Sequence, residues 1–167
     1  MFEREYRLLA LIGHAGKING RKKLQKIVHL LKNRGAPFHF NDRYHHYGPY
    51  STALQAEMDY LVESNLVIEK MEQGAYTYIL SEDGEELKNF LEQERDLSLP
   101  MNEQLLSKLL AESSPFLELV STYVFLLKIG HSHEEALEKT SELKPHLGSR
   151  LEEAVQFYEE LSTQPYD

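Results

Sequence analysis

The sequence predicts an α+β fold that is mostly helical. Apolar residues recur at helical spacing along most of the 167 residues. Two short alternating segments bracket Gln73-Gly74, the pattern of a β-hairpin. After Pro100 no alternating segment remains, and helix-capping signals punctuate the chain.

Phe2, Tyr6, Leu8, Leu9 and Ile12 place a first helix over about 2–12, and Gly13, Gly16 and Gly20 mark the turn after it. A second helix spans 20–34. Leu24, Ile27, Val28 and Leu31 form its apolar stripe, so Lys22, Lys26, His29 and Asn33 are expected on the opposite, solvent-facing side. Gly35 supplies the stop, with Pro37 beyond it. Residues 36–50 read as an extended insert in which Phe38 and Phe40 alternate with His39 and Gly48-Pro49 makes a turn. Ser51 is placed to cap a third helix over about 51–64, which buries Leu54, Met58, Leu61 and Val62.

The run Leu66-Val67-Ile68 and the alternation of Tyr76, Tyr78 and Leu80 give the two hairpin strands. Ser81 caps a helix that runs to about 96, and Glu82, Asp83, Glu85 and Glu86 suit the positive end of its dipole. Leu97-Ser98-Leu99-Pro100 is the expected boundary between a part at 1–97 and a helical part at 100–162. The second part carries helices near 101–112, 115–129, 133–144 and 149–162. Ser114-Pro115 opens one of them, and Ser132…Glu135 and Ser149…Glu152 read as capping boxes.

Charge is distributed unevenly. Residues 1–50 hold 10 Lys and Arg against 3 Asp and Glu, a balance of +7, whereas residues 51–167 hold 8 against 24, a balance of -16. Such asymmetry points either to a basic surface for nucleic acid or an acidic partner, or to two halves that neutralise each other. No stretch approaches the roughly 20 apolar residues of a transmembrane helix. The opening residues lack the basic, apolar and cleavage regions of a signal peptide, so a cytoplasmic location is expected. With no cysteine, thiolate metal sites and cysteine nucleophiles are excluded.

Catalytic motifs are missing too. The glycines at 13, 16 and 20 lack the preceding strand of a phosphate-cradling loop, and neither a nucleophile elbow nor His-Glu-x-x-His occurs. Adjacent His45 and His46 would point to opposite faces of a strand, and His131-x-His133 falls in a loop. The expectation is a protein without catalytic activity, metal or cofactor.

Three helices followed by a hairpin resemble a winged helix-turn-helix domain. The phrase Tyr76-Thr77-Tyr78-Ile79-Leu80-Ser81-Glu82-Asp83-Gly84 resembles the end of the wing and the following helix in many bacterial regulators. Leu61-Val62-Glu63-Ser64-Asn65-Leu66-Val67 resembles the step from recognition helix to wing. Asn65 stands there for the usual glycine, and asparagine tolerates the left-handed conformation. Over about 20–70, Leu24-Gln25-Lys26-Ile27-Val28 and Tyr47-Gly48-Pro49-Tyr50 resemble the Panacea antitoxin-type domain and the uncharacterised YwgA-like proteins of bacilli. The resemblance implies a winged-helix domain at 1–97, with its insert near 36–50, followed by a C-terminal helical domain at 100–162.

The candidate contact residues for double-stranded DNA are Lys17, Arg21, Lys22, Lys23 and Lys26, with Arg43, His45, His46 and Tyr50 of the insert. Ser51, Thr52 and Gln55 stand where base edges would be read. Glu57, Asp59 and Glu63 on the same helix would repel a phosphate backbone. The alternative is an antitoxin-like or adaptor module whose basic face meets an acidic protein. Finally, the segment 115–129 is apolar almost all round, which predicts a homodimer through the C-terminal helices if its neighbours cannot cover it.

Overall fold

A computed structural model describes residues 2–45 and 48–164. It is mostly helical, with two small antiparallel sheets. The first helix, α1, is Glu3–Ala15, and Gly16 at φ 77° ends it. A two-residue strand, β1, at Ile18–Asn19 leads to α2 at Arg21–Asn33. Gly35 closes α2 at φ 104°: its N–H reaches Lys32 O and the N–H of Ala36 reaches Leu31 O, both at 3.0 Å. This paired arrangement satisfies the orphan carbonyls at a helix end.

The insert forms no strand at Phe38 and Phe40, but both side chains are buried and His39 is exposed. Further on it folds into a small hairpin, β2 at Arg43–His45 and β3 at Gly48–Tyr50. Ser51 caps α3, Thr52–Glu63, accepting from the Leu54 N–H at 3.1 Å. Asn65 adopts φ 63° and closes α3 in the same way that Gly35 closes α2, with Leu66 N–H on Leu61 O at 2.9 Å. Strands β4, Val67–Glu72, and β5, Ala75–Leu80, pair around Gln73 and Gly74, both at positive φ, the two-residue turn that matches strand twist. β1 pairs with the free edge of β5, giving the order β1-β5-β4. The alternation pattern did not reveal β1, because two residues carry no period.

Helix α4, Glu82–Glu94, starts where Ser81 accepts from the Gly84 N–H at 2.9 Å and donates to Asn65 O at 2.6 Å. A Cβ at Gly84 would lie 1.9 Å from Leu66 O, so the helix approaches the strand as closely as glycine allows.

Beyond Pro100 come α5 at Glu103–Ala111, α6 at Ser114–Lys128, α7 at His133–Leu143 and α8 at Leu151–Ser162. Ser113 rather than Ser114 caps α6, and the Ser132–Glu135 capping box forms on α7. The box expected at Ser149 does not form. Pro145–Arg150 is a 3-10 segment that runs straight into α8, which leaves no free helix start for Ser149 to cap.

The buried apolar residues make one cluster that passes from Leu9, Ile12 and Ile27 through Leu61 and Tyr78 to Leu105, Val120 and Ala154. Within a single chain every residue from Phe116 to Val124 is buried. Helices α2, α7 and α8 and strand β3 pack around α6. The first two and a half turns of α6 are thus covered by the chain itself, while Ile129 at its C-terminal end is 57% exposed. No single described helix is long and apolar enough to cross a membrane.

Candidate functional site

Helix α2 has two faces, and both are inside. Its apolar stripe enters the main core, while Lys26 and His29, expected in solvent, are each 1% exposed against α6. The residues that meet them are spaced to do so. Glu118, Thr122 and Phe125 recur at helical intervals on α6, as Lys22, Lys26 and His29 do on α2. The result is a polar seam between two helices distant in sequence.

At one end of the seam, Lys26 Nζ donates to Pro49 O at 2.7 Å. Gln25 beside it donates to Ser51 O and accepts from the Ser51 N–H, both at 2.9 Å. These contacts clamp β3 and the start of α3 onto α2. Gly48, at φ 90°, lies where an added Cβ would come within 3.0 Å of Thr122 Oγ1 and 3.6 Å of Lys26 Nζ. Burial pushes the Lys26 amine down to about 8, Glu118 and Asp42 opposing the shift and Lys144 and Lys22 adding to it.

Asp42 anchors the other end. It accepts from His29 Nδ1 at 2.9 Å and from Lys32 Nζ at 2.5 Å, and Lys32 also donates to Phe40 O. Burial raises the Asp42 carboxyl, but the hydrogen bonds and charges of His29 and Lys32 outweigh it and hold the group below its ordinary value. Burial holds the His29 imidazole below its ordinary value despite Asp42. With Nδ1 on Asp42, the buried Nε2 of His29 has no partner among the described residues. A cavity of about 260 Å³ lined by His29, Lys32, Asp42, Phe125 and Lys128 adjoins it.

A larger cleft of about 590 Å³ opens beside the Lys26 end, between α2, the start of α6 and the 3-10 segment. Lys22, Tyr44, Glu118, Lys144 and His146 line it with Pro115, Leu143 and Leu147. Lys144 is only 3% exposed, its Nζ 3.6 Å from Glu118 Oε2 and 5.5 Å from the centre of the Tyr44 ring. Among the described residues no group of three His, Asp or Glu is placed to hold a metal ion.

The residues singled out from sequence do not form one surface. Lys17 is exposed and pairs with Glu72 at 3.4 Å. Arg21 grips Glu69 through Nε at 3.2 Å and Nη2 at 3.0 Å while lying 4.1 Å over the Tyr76 ring. Lys23 donates to Leu110 O at 2.6 Å, Lys26 is buried, and Lys22 sits at the rim of the larger cleft. Arg43 and His45 are exposed on β2, with the His45 ring 5.0 Å from that of Tyr50. His46 lies outside the described residues. Ser51 is buried as a cap, Thr52 is exposed, and Gln55 donates to Asp59 at 3.0 Å.

Sequence reasoning missed Glu118, Thr122, Lys144, His146 and the pairing of His29 with Asp42. One signal was available: Glu118 and Thr122 interrupt an otherwise apolar helix four residues apart, and an apolar helix hides polar groups only against polar partners.

No family model matches the chain, and no solved structure matches it. The chain is 33% identical over 168 residues to the uncharacterised protein YwgA of Bacillus subtilis (strain 168), a match that covers 96% of this chain and 98% of the relative.

Proposed function

The chain belongs to the YwgA family, and from that footing we propose that it is a non-catalytic interaction module on a winged-helix frame, binding a protein rather than reading DNA. With the β2–β3 hairpin counted as an insert between α2 and α3, the order helix–strand–helix–helix–strand–strand and the sheet order β1-β5-β4 support the winged-helix reading, with α3 in the recognition position and β4–β5 as the wing.

One observation carries the choice of partner. The outward face of α3 presents Thr52, Ala53, Ala56, Asp59, Tyr60 and Glu63, and the helix contains no Lys, Arg or His. Phosphate contacts dominate affinity for nucleic acid, and two carboxylates on the presented face oppose them. Tyr60, 53% exposed, is the kind of residue that anchors a protein interface. Meanwhile Lys17, Arg21, Lys23 and Lys26 already answer carboxylates and carbonyls of their own chain. The partner that fits α3 carries basic residues, so the acidic partner expected for a basic face gives way to the opposite charge. The resemblance of residues 20–70 to an antitoxin-type domain agrees with a protein-binding role. A second reading, contact with duplex DNA, keeps one specific support: Arg43 and His45 are exposed, and Arg43 pairs across the hairpin with Tyr50, next to the α3 cap.

The experiment is affinity capture from nuclease-treated bacterial lysate with the parent chain and an Asp59→Lys/Tyr60→Ala variant. Both positions are exposed, so the variant should fold. The expected result is a protein retained by the parent and lost by the variant. A retained set identical for both would overturn α3 as the docking face.

A further inference from the structure

We propose that the cavity at the Asp42 end of the seam, between α2, the insert and the C-terminal end of α6, binds a small organic anion that carries a hydroxyl group, of the class of short hydroxycarboxylates. The His29 side chain, 1% exposed, lines this cavity together with Lys32, Asp42, Phe125, Lys128 and Ile129.

The protonation pattern of the His29 ring is set from one side. Nδ1 donates at 2.9 Å to Asp42, whose carboxyl lies below its ordinary value, so Nδ1 carries the proton and Nε2 the lone pair. Burial holds the imidazole below its ordinary value, with Asp42 opposing the shift and Lys32 and Lys128 adding to it, and the ring is neutral at neutral pH. Nε2 is thus a buried acceptor, and no donor reaches it among the described residues. Buried polar atoms in folded proteins nearly always have a partner, so an acceptor left open in the side chain that lines a cavity calls for a donor from that cavity.

The other groups around the cavity say what the donor is attached to. Lys32 is engaged by Asp42 and Phe40 O, whereas among the described residues no carboxylate pairs with Lys128, exposed at the last position of α6. Among the described residues that line the cavity, two ammonium groups stand against one carboxylate, and a single negative charge balances them. An ammonium donor would meet Lys32 and Lys128 as like charges; a hydroxyl donates to Nε2 without that cost. Phe125 and Ile129 add apolar surface for a short hydrocarbon body. The volume of about 260 Å³ falls just under the roughly 300 Å³ at which ordinary small-molecule pockets begin, which limits the occupant to a few heavy atoms. A water molecule would serve Nε2 alone; a hydroxycarboxylate serves Nε2, Lys128 and the apolar surface together. None of these residues belongs to the outward face of α3, so the site is independent of what docks there.

Heteronuclear NMR of the histidine ring nitrogens tests the proposal, on the full chain at about pH 7.5 and constant ionic strength, with lactate, propionate and propylene glycol as probes. Lactate should move the His29 Nε2 resonance saturably and shift the Phe125 and Lys128 amides with it. Propionate lacks the hydroxyl and propylene glycol lacks the carboxylate. Each should bind at least about tenfold more weakly, the factor for one buried or charged hydrogen bond. Lys128→Gln, a change at an exposed position, should weaken lactate by about threefold or more, and Lys17→Gln should change nothing. No saturable shift of His29 Nε2 up to about 100 mM lactate would leave water as the occupant and overturn the proposal. Equal binding of lactate and propionate would overturn the role of Nε2, and equal binding by Lys128→Gln and the parent would overturn the role of the ammonium group.

Discussion

Lys26 is the residue on which the seam turns. It is 1% exposed, and its amine donates to Pro49 O. Burial lowers its amine from 10.5 to about 8, against Glu118 and Asp42 and reinforced by Lys144 and Lys22. Between those two values the unfolded chain binds the proton and the folded chain does not, so stability rises with pH across that window. Below about pH 8 the folded protein carries the full penalty. A shift from 10.5 to about 8 corresponds to about 3 kcal/mol. The gap in unfolding free energy between Lys26→Met and the parent should therefore move by about 3 kcal/mol in favour of the parent between pH 7 and pH 10.5. Urea unfolding at both pH values measures it, and a gap that stays constant would show that Lys26 does not titrate in the buried state described here.

At the scale of elements, close approach decides more than propensity. Gly84 sits in the first turn of α4, where alanine would gain up to about 1 kcal/mol as the better helix former. Its Cβ would nevertheless meet Leu66 O at 1.9 Å, and the displacement of backbone that this forces costs about 1–3 kcal/mol or more. Gly84→Ala should lower the melting temperature by several degrees; a variant that melts at or above the parent would mean that α4 need not touch the strand so closely.

Local devices of this kind were legible in the sequence. The Ser81 cap, the left-handed Asn65, the Gln73-Gly74 turn and the Ser132 capping box were all readable, because each is settled within a few residues. The side of α2 on which Lys26 and His29 lie was not. An amphipathic pattern assigns lysine to water, and what occupies the second face of α2 is α6, whose Glu118 lies 92 positions after Lys26. No local period carries that information. The candidate site was legible only in its parts: the Gly48-Pro49 turn and the lysines were seen, but their gathering around Glu118 belongs to tertiary packing.

For the molecule as a whole, the uneven charge resolves into contacts between the two halves. Lys17 meets Glu72, Arg21 meets Glu69, and Lys144 from the acidic half joins Lys26 around Glu118. Arg34 reaches Gln164 O at 2.6 Å, and His14 Nδ1 lies 2.8 Å from Glu103. The basic N-terminal half thus meets the acidic half at several points, and α2 helps to cover α6 from Phe116 to Val124. We infer that Lys17, Arg21, Lys23 and Lys26, engaged by carboxylates and carbonyls of their own chain, do not serve as a surface for duplex DNA. The most direct measurement is the fluorescence anisotropy of a labelled random-sequence DNA duplex, titrated with the protein between roughly 50 and 200 mM salt. No saturable binding is expected at any salt in that range. Binding at low salt that falls by about a thousandfold or more across the range, and that Lys22→Glu with Arg43→Glu abolishes, would contradict it.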